Sequence, residues 1–228
     1  MSPALHLKRA EHLTRAEHLT RAEHLNRWSE LHGEYDVAAG SGLVRGWLAM
    51  VYLLARPLAA AGVSAHLLTA LAVGVAAGAA GLAETVPVAA GVLVLTSALL
   101  DGLDGAVAVL ARTESFLGAL LDSLGDRAAD ALFLIALWRA GGSGLWCLVA
   151  AGGLVLLEYT RARAGALGRG EIAVVTVGER PVRVALAALG LVLAPWWSQA
   201  ATVSAACTGA LCAVAVPQLV RAFGTLRP

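Results

Sequence analysis

Beyond residue 43 the chain is a succession of apolar runs separated by short polar or glycine-rich joints. Runs close to the roughly 20 residues that a bilayer crossing needs occupy 64–83, 86–110, 115–139, 144–164, 181–197 and 200–220, and they predict six membrane-spanning helices. The stretch ahead of them, 43–61, is apolar but carries Arg45 and Arg56, has Trp47 near its start and is interrupted by Pro57. That pattern predicts a helix lying in the membrane interface with its arginines toward headgroups. Further upstream the hexapeptides KRAEHL, TRAEHL and TRAEHL follow one another over residues 8–25. Glu11–Arg15, Glu17–Arg21 and Glu23–Arg27 are i,i+4 pairs in the favourable order. A six-residue period advances about 240° per copy around a helix, so Leu13, Leu19 and Leu25 point three different ways and form no apolar stripe. The segment reads as a solvated, partly helical tail. Its histidines His6, His12, His18 and His24 belong to that low-complexity repeat rather than to a metal tract. The expected organisation is a polar tail over 1–40, a juxtamembrane interfacial helix over 41–62 and a six-helix domain over 63–223, an all-α integral membrane protein.

Arginines give the expected topology. Six spans put both termini on one side, with the joints holding Arg112, then Arg161, Arg163, Arg169, Arg180 and Arg183, then Arg221 and Arg227. The opposite joints hold only Arg139. Cytoplasmic loops collect positive charge, which places both termini and the 111–114 and 161–183 joints in the cytoplasm. Trp138, Trp146, Trp196 and Trp197 then fall at the far interface, where an aromatic belt is expected.

Composition agrees: of 228 residues 58% are hydrophobic and 14% charged, with mean hydropathy +0.73. A soluble domain carries about a quarter charged residues, so lipid is the expected solvent. The net charge of +1 and the lack of a basic stripe interleaved with aromatics argue against a nucleic-acid partner. Cys147, Cys207 and Cys212 lie in apolar stretches and read as small buried or lipid-facing residues. The first apolar run begins after residue 40, which predicts no cleaved leader. Sixteen arginines against one lysine, with abundant alanine and glycine, suggest a GC-rich coding sequence and a bacterial cell membrane as the location.

Acids inside the second and third apolar runs need a cause. Asp101 and Asp104 sit in LLDGLDGAVAVLAR, and Asp122, Asp126 and Asp130 in FLGALLDSLGDRAAD. A charged Asp at mid-bilayer costs roughly 2.5–3.5 kcal/mol on translocon scales. These acids lie near the cytoplasmic ends, where the cost is lower, and a bound divalent cation is the natural compensation. Oxygen-only ligands favour Mg²⁺ or Mn²⁺ over zinc. Asp101 and Asp104 are i,i+3, with Gly105 and Ala108 extending the stripe, while Gly118, Asp122, Asp126 and Asp130 step by four along one helix face. Two antiparallel helices joined by a short turn therefore aim carboxylates at one point, and the glycines leave room for a ligand beside them.

The run Asp101-x-x-Asp104-Gly105-x-x-Ala108, followed by Gly118-x-x-x-Asp122-x-x-x-Asp126, resembles the signature of the CDP-alcohol phosphotransferase family. That pattern reads D-x-x-D-G-x-x-A-R, eight residues, then G-x-x-x-D-x-x-x-D, and seven of its eight fixed positions match at the correct spacing. Val109 stands where the family has Arg; Arg112, at i+3, is the residue that helical spacing offers in its place. The family's interfacial helix and six spans fit the chain from about residue 43 onward. The resemblance implies that Asp101, Asp104 and Asp122, with help from Asp126, hold a pair of divalent ions, Mg²⁺ or Mn²⁺, on the diphosphate of a CDP-alcohol such as CDP-diacylglycerol. It implies that Asp126 is general base for the acceptor hydroxyl. Asp104, Gly105, Ala108 and Gly118, with Arg112, would line the nucleotide pocket. Membrane lipids and a second copy of the chain, as a homodimer, are the other partners it implies.

A second cluster bears on the acceptor. Glu158-Tyr159-Thr160-Arg161-Ala162-Arg163 ends the fourth span and Gly178-Glu179-Arg180-Pro181-Val182-Arg183 opens the fifth. These resemble the Y-x-[KR]-A-R-A and G-x-x-E-R segments of phosphatidylinositol phosphate synthases in the same family, although Glu158 stands where a small polar residue is usual. The resemblance implies a phospho-alcohol acceptor bound by Arg161, Arg163, Arg180 and Arg183, since Arg suits bidentate phosphate binding. Arginines at cytoplasmic helix ends also satisfy the positive-inside rule alone, so a plain alcohol stays open. Two other readings are a cation transporter and a non-catalytic homologue. A transporter would spread its acids through the membrane's depth and often show an internal repeat; here the acids cluster at one end of two adjacent runs. Val109 keeps the non-catalytic reading open, and release of CMP from a CDP-alcohol separates it from the enzyme.

Overall fold

The computed structural model describes residues 42–169 and 175–224; the hexapeptide tail of 1–40 and Arg227 lie outside them. The described residues form helices and turns and contain no strand. The helices are α1 (Gly42–Ala60), α2 (Ala65–Leu82), α3 (Pro87–Ala111), α4 (Phe116–Arg139), α5 (Gly144–Ala164), α6 (Arg180–Leu193) and α7 (Ala200–Gly224), with a π turn, Gly165–Arg169, continuing α5. The apolar helix through 43–61 is present, but Pro57 does not break it, and α1 runs on to Ala60. A proline ring near a helix end forfeits one hydrogen bond without ending the helix.

Four helical stretches are long and apolar enough to cross a bilayer: Ala65–Leu82, Pro87–Ala111, Gly144–Leu167 and Ala200–Phe223. The chain is a multi-pass membrane protein of all-α class. The sequence pattern predicts six such spans, and the two runs that fall short do so for identifiable reasons. Helix α4 is long enough but carries Asp122, Asp126, Arg127, Asp130 and Arg139. Helix α6 has only 14 residues, because the expected run through 197 leaves the helix at Leu193 and passes through a turn.

The chain divides into two compact units. The first comprises α1, the start of α2 to Ala72, the end of α3 from Leu99, and the start of α4 to Asp126. Its core is built from Val51, Tyr52, Ala55 and Ala59 of α1, Leu68 of α2, and Leu103, Ala106, Val107 and Leu110 of α3. Asp101 and Asp104 flank that apolar stripe, so burying the stripe fixes the direction in which α3 presents its acids. The turn from α3 to α4 is short and closed at both ends. The Arg112 N–H bonds Val109 O at 3.2 Å and the Thr113 N–H bonds Ala108 O at 2.9 Å, the paired bonds of a Schellman cap. Across the turn, Ser115 caps α4, its Oγ accepting the Gly118 N–H at 3.0 Å.

That cap requires a left-handed residue, and Arg112 supplies it at φ 54°. The same pair of bonds closes α1 around Gly62 and α4 around Gly141, at φ 72° and 94°. Arginine thus occupies a position where two other helix ends in this chain use glycine. A side chain in that region costs about 1 kcal/mol. Replacing Arg112 with Gly is expected to raise the stability of the detergent-purified protein by 0.5–1 kcal/mol, roughly a few degrees in a thermal melt for a chain of this size. An unchanged or lowered melting point would show that the Arg112 side chain makes a compensating contact.

The second unit holds the rest of α2–α4 together with α5, α6 and α7. Its core packs Ala76, Ala79, Val94, Phe133, Leu137 and Leu157 with Leu191, Ala205 and Cys212. Small residues set the spacing. A Cβ built on Gly153 of α5 would lie 2.8 Å from the Cys212 Cβ of α7, and one on Gly190 of α6 would lie 2.5 Å from the Ser204 Cβ of α7. Lipid gives helices little hydrophobic drive to associate, and this close backbone approach supplies dispersion contact in its place. The Ser204 hydroxyl bonds Leu186 O at 2.7 Å, closing the α6–α7 pair. At the α2–α3 end, Arg139 pairs with Glu84 at 2.9 Å, so the arginine that stood alone on its side of the predicted topology has a local counter-charge.

Candidate metal and nucleotide site

Asp101 projects from α3, and Asp122 and Asp126 from one face of α4. One carboxylate oxygen from each lies within 4.8 Å of the other two, and all three residues are half-buried. Ionised carboxylates held this close repel one another strongly, so the group is a site for positive charge. The donors are all hard oxygens, which fits Mg²⁺ or Mn²⁺. An ion bonding oxygen at about 2.1 Å holds its ligands no more than about 4.2 Å apart, so modest side-chain rotation closes the group around one.

Asp104 is placed differently. It is 3% exposed, its Oδ2 accepts the hydroxyl of Thr69 from α2, and its Oδ1 accepts the Gly105 N–H at 2.6 Å. Three of the four aspartates at the signature positions thus form the cluster, and the fourth is fixed by hydrogen bonds next to it on α3. Gly105 faces open space: a Cβ built there meets no atom within 4 Å. Packing within the protein therefore does not demand glycine at this position. Gly118 is tighter, its built Cβ lying 3.1 Å from Ser115 Oγ and 3.4 Å from the His66 ring. Ala108 is half-buried on the α3 stripe. Val109 is 3% exposed, an apolar side chain in an enclosed position. Arg112 is exposed and lies beyond the last residue of α3, so the i+3 helical spacing that made it a substitute for an arginine at 109 does not hold in the folded chain.

In the second unit the arginines of the second motif meet carboxylates. Arg183 is 4% exposed; its Nη2 pairs with Asp130 at 3.0 Å, and its Nη1 pairs with Glu158 at 3.0 Å and donates to Gly178 O at 3.2 Å. Glu158 also receives Arg127 at 2.8 Å. Arg180 approaches Asp130 at 4.0 Å. Arg161 pairs with Glu179 and donates to Thr176 Oγ1 at 3.1 Å, while Glu179 also accepts the Thr176 N–H at 2.7 Å. Arg163 is exposed and makes no ion pair among the described residues. Charge patterning along single segments does not reveal this network, because Asp130, Glu158 and Arg183 come from three different helices. Thr69 was equally invisible: one threonine in AHLLTALAVG carries no mark in the sequence.

The comparisons with known proteins agree with the geometry. Residues 58–216 match the family model described as CDP-alcohol phosphatidyltransferase. The chain is 33% identical over 138 residues to the archaetidylinositol phosphate synthase of Methanothermobacter thermautotrophicus, covering 58% of this chain and 70% of that one. It is 40% identical over 82 residues to the protein of the same name from Aeropyrum pernix, covering 36% of this chain and 42% of that one, so the match takes in under half of that relative's length. In fold it is similar to the phosphatidylinositol phosphate synthase of Mycobacterium tuberculosis, whose crystal structures contain manganese and citrate in one case and CDP-DAG in another. The TM-scores are 0.62 and 0.63 at 24% identity, covering 77% of this chain and 89% and 94% of those. The family match spans most of the helical region and includes every aspartate of the cluster, and the chain belongs to the CDP-alcohol phosphatidyltransferase family.

Proposed function

We propose that this protein transfers a phosphatidyl group from CDP-diacylglycerol, or a related group from another CDP-alcohol, to the hydroxyl of an alcohol or phospho-alcohol, releasing CMP. The observation that carries this reading is the convergence of Asp101, Asp122 and Asp126, all at family-signature positions, on one cluster of hard oxygen donors. Asp101, Asp104, Asp122 and Asp126 would hold two divalent ions, Mg²⁺ or Mn²⁺. When bound, the metal neutralises charge on the donor's diphosphate and stabilises CMP as the leaving group. Asp126 takes the proton of the acceptor hydroxyl as its oxygen forms a bond to the phosphatidyl phosphorus and the bond from that phosphorus to CMP breaks. Asp104, Gly105, Ala108 and Gly118 line the nucleotide position, where the open space beside Gly105 admits a ring or phosphate close to the backbone. Arg112 joins them from the turn.

The acceptor is proposed to be a phospho-alcohol. Two of the similar relatives are named for making an inositol phosphate lipid, and Arg161, Arg163, Arg180 and Arg183 gather at the junction of α5 and α6. Arg163 is the arginine we assign first to the acceptor phosphate, because Arg161 and Arg183 are each held by carboxylates. The remaining proposals follow the same reading: an interfacial α1 followed by six crossings, a polar N-terminal tail, termini and active site on the cytoplasmic side of a bacterial membrane, and a homodimer.

Chelation tests the reaction. Stripping the purified protein with EDTA is expected to reduce CMP release from CDP-diacylglycerol, in the presence of inositol phosphate, to background, and Mg²⁺ or Mn²⁺ to restore it. CMP release that persists after complete metal removal would rule out the metal-dependent mechanism. Folded, metal-binding protein that releases no CMP with any donor and acceptor would favour the non-catalytic reading that Val109 suggests.

A further inference from the structure

Asp104 is more enclosed than the three clustered acids beside it, and its carboxylate is not free to choose its own orientation. Gly105 N–H, from the adjacent residue of α3, fixes one oxygen, and the other is reached from a different helix by the hydroxyl of Thr69. Thr69 is itself 9% exposed, and its Oγ1 also lies 3.2 Å from Ala65 O. A hydroxyl has one proton to give. The carboxylate is the nearer and the stronger acceptor, since a hydrogen bond to an ionised group is roughly twice as strong as a neutral one, so the proton goes to Asp104. Each carboxylate oxygen has two acceptor sites. With one used by Thr69 and one by Gly105, a site on each oxygen is left, and the plane of the group is set.

We infer that Thr69 is a positioning residue for the metal site: its hydroxyl, donated across from α2, holds the Asp104 carboxylate in the orientation that metal binding requires. This rests on the proposed role of Asp104 as a metal ligand. Thr69 lies outside the aspartate signature, and it acts through Asp104. Partners that orient a ligand from behind commonly change metal affinity by 10- to 100-fold when lost.

The test measures Mn²⁺ affinity directly, by electron paramagnetic resonance of free Mn²⁺ titrated against the metal-stripped, detergent-purified protein. The variants are Thr69→Val, which keeps the shape and loses the donor, and Thr69→Ser, which keeps the donor. The expected result is a Kd about 10-fold higher for Thr69→Val and within about threefold of the original for Thr69→Ser. Thr69→Ala carries the same reading where the valine variant does not fold. Unchanged affinity in Thr69→Val or Thr69→Ala overturns the inference, and so does an equal loss in Thr69→Ser, because the hydroxyl would then not be the operative group. Failure of the unaltered protein to bind Mn²⁺ is a different result: it removes the metal site itself, and the role of Thr69 with it.

Discussion

Asparagine in place of Asp126 is expected to lower CMP release by 10²–10⁴-fold, the range over which a general base contributes, without loss of folded protein. Asparagine keeps the size and a metal-binding oxygen of the carboxylate but lacks its basicity. The acceptor hydroxyl would then have to lose its proton without a carboxylate placed to take it. Asp126 shares the cluster with Asp101 and Asp122, so two measurements separate proton transfer from metal loss. Metal affinity is expected to fall only modestly, and saturating Mn²⁺ is not expected to recover the rate. Recovery of the rate at high Mn²⁺ would make Asp126 a ligand and no more. Full activity in the variant would move the base to another residue.

The second large effect concerns stability. Arg183→Met is expected to destabilise the protein by about 3–5 kcal/mol, the usual consequence of removing one partner from a buried ion pair. The arginine side chain is 3% exposed and lies between Asp130 and Glu158, whose side chains are 6% and 14% exposed. Methionine fills a similar volume but takes the 3.0 Å partner from both carboxylates, leaving Glu158 with Arg127 and Asp130 with the more distant Arg180. A thermal melt in detergent measures the loss, and adding Asp130→Asn to the Arg183→Met protein is expected to restore part of it by removing one of the stranded charges. The sequence reading put Arg183 among the ligands of an acceptor phosphate. The two roles make opposite predictions: a ligand role raises the KM for the acceptor with the melting point unchanged, whereas the network described here lowers the melting point in the absence of any substrate.

Much of the fold was legible because period and spacing survive translation into helices. The runs at 64–83 and 86–110 became α2 and α3 to within a residue or two. The four-residue steps from Gly118 to Asp126 became one face of α4, so Asp101, Asp122 and Asp126 were among the acids expected to converge, together with Asp104, which lies beside the cluster. Three things were not. The length of α6 depends on where a chain of apolar residues leaves the helix, and LVLAPWW has no strong stop signal before its proline. Arg112 sits at a helical offset from Val109, but nothing in the sequence says that the helix ends one residue earlier. The third is any partnership between helices. Thr69 with Asp104, and Arg183 with Asp130 and Glu158, join residues 35, 53 and 25 positions apart, and single-segment patterns carry no record of them. The network also takes Asp130, which spacing placed on the same face as Asp122 and Asp126, and pairs it with Arg183.

The closed turn between α3 and α4 gives the eight-residue interval of the family signature a physical meaning. Those positions, 110–117, include the last residues of α3, the left-handed Arg112 and Thr113 with one cap bond each, Ser115 with its bond to Gly118, and the opening residues of α4. The cap bonds at both ends leave the connector little slack. One extra residue between Ala111 and Asp122 must either break a cap or turn Asp122 and Asp126 together by about 100° around the α4 axis, carrying both away from Asp101. Loop length is ordinarily the freest variable in a protein, open to drift by insertion and deletion. In this connector it is tied to the chemistry, because it sets the rotation at which α4 presents its aspartates to Asp101.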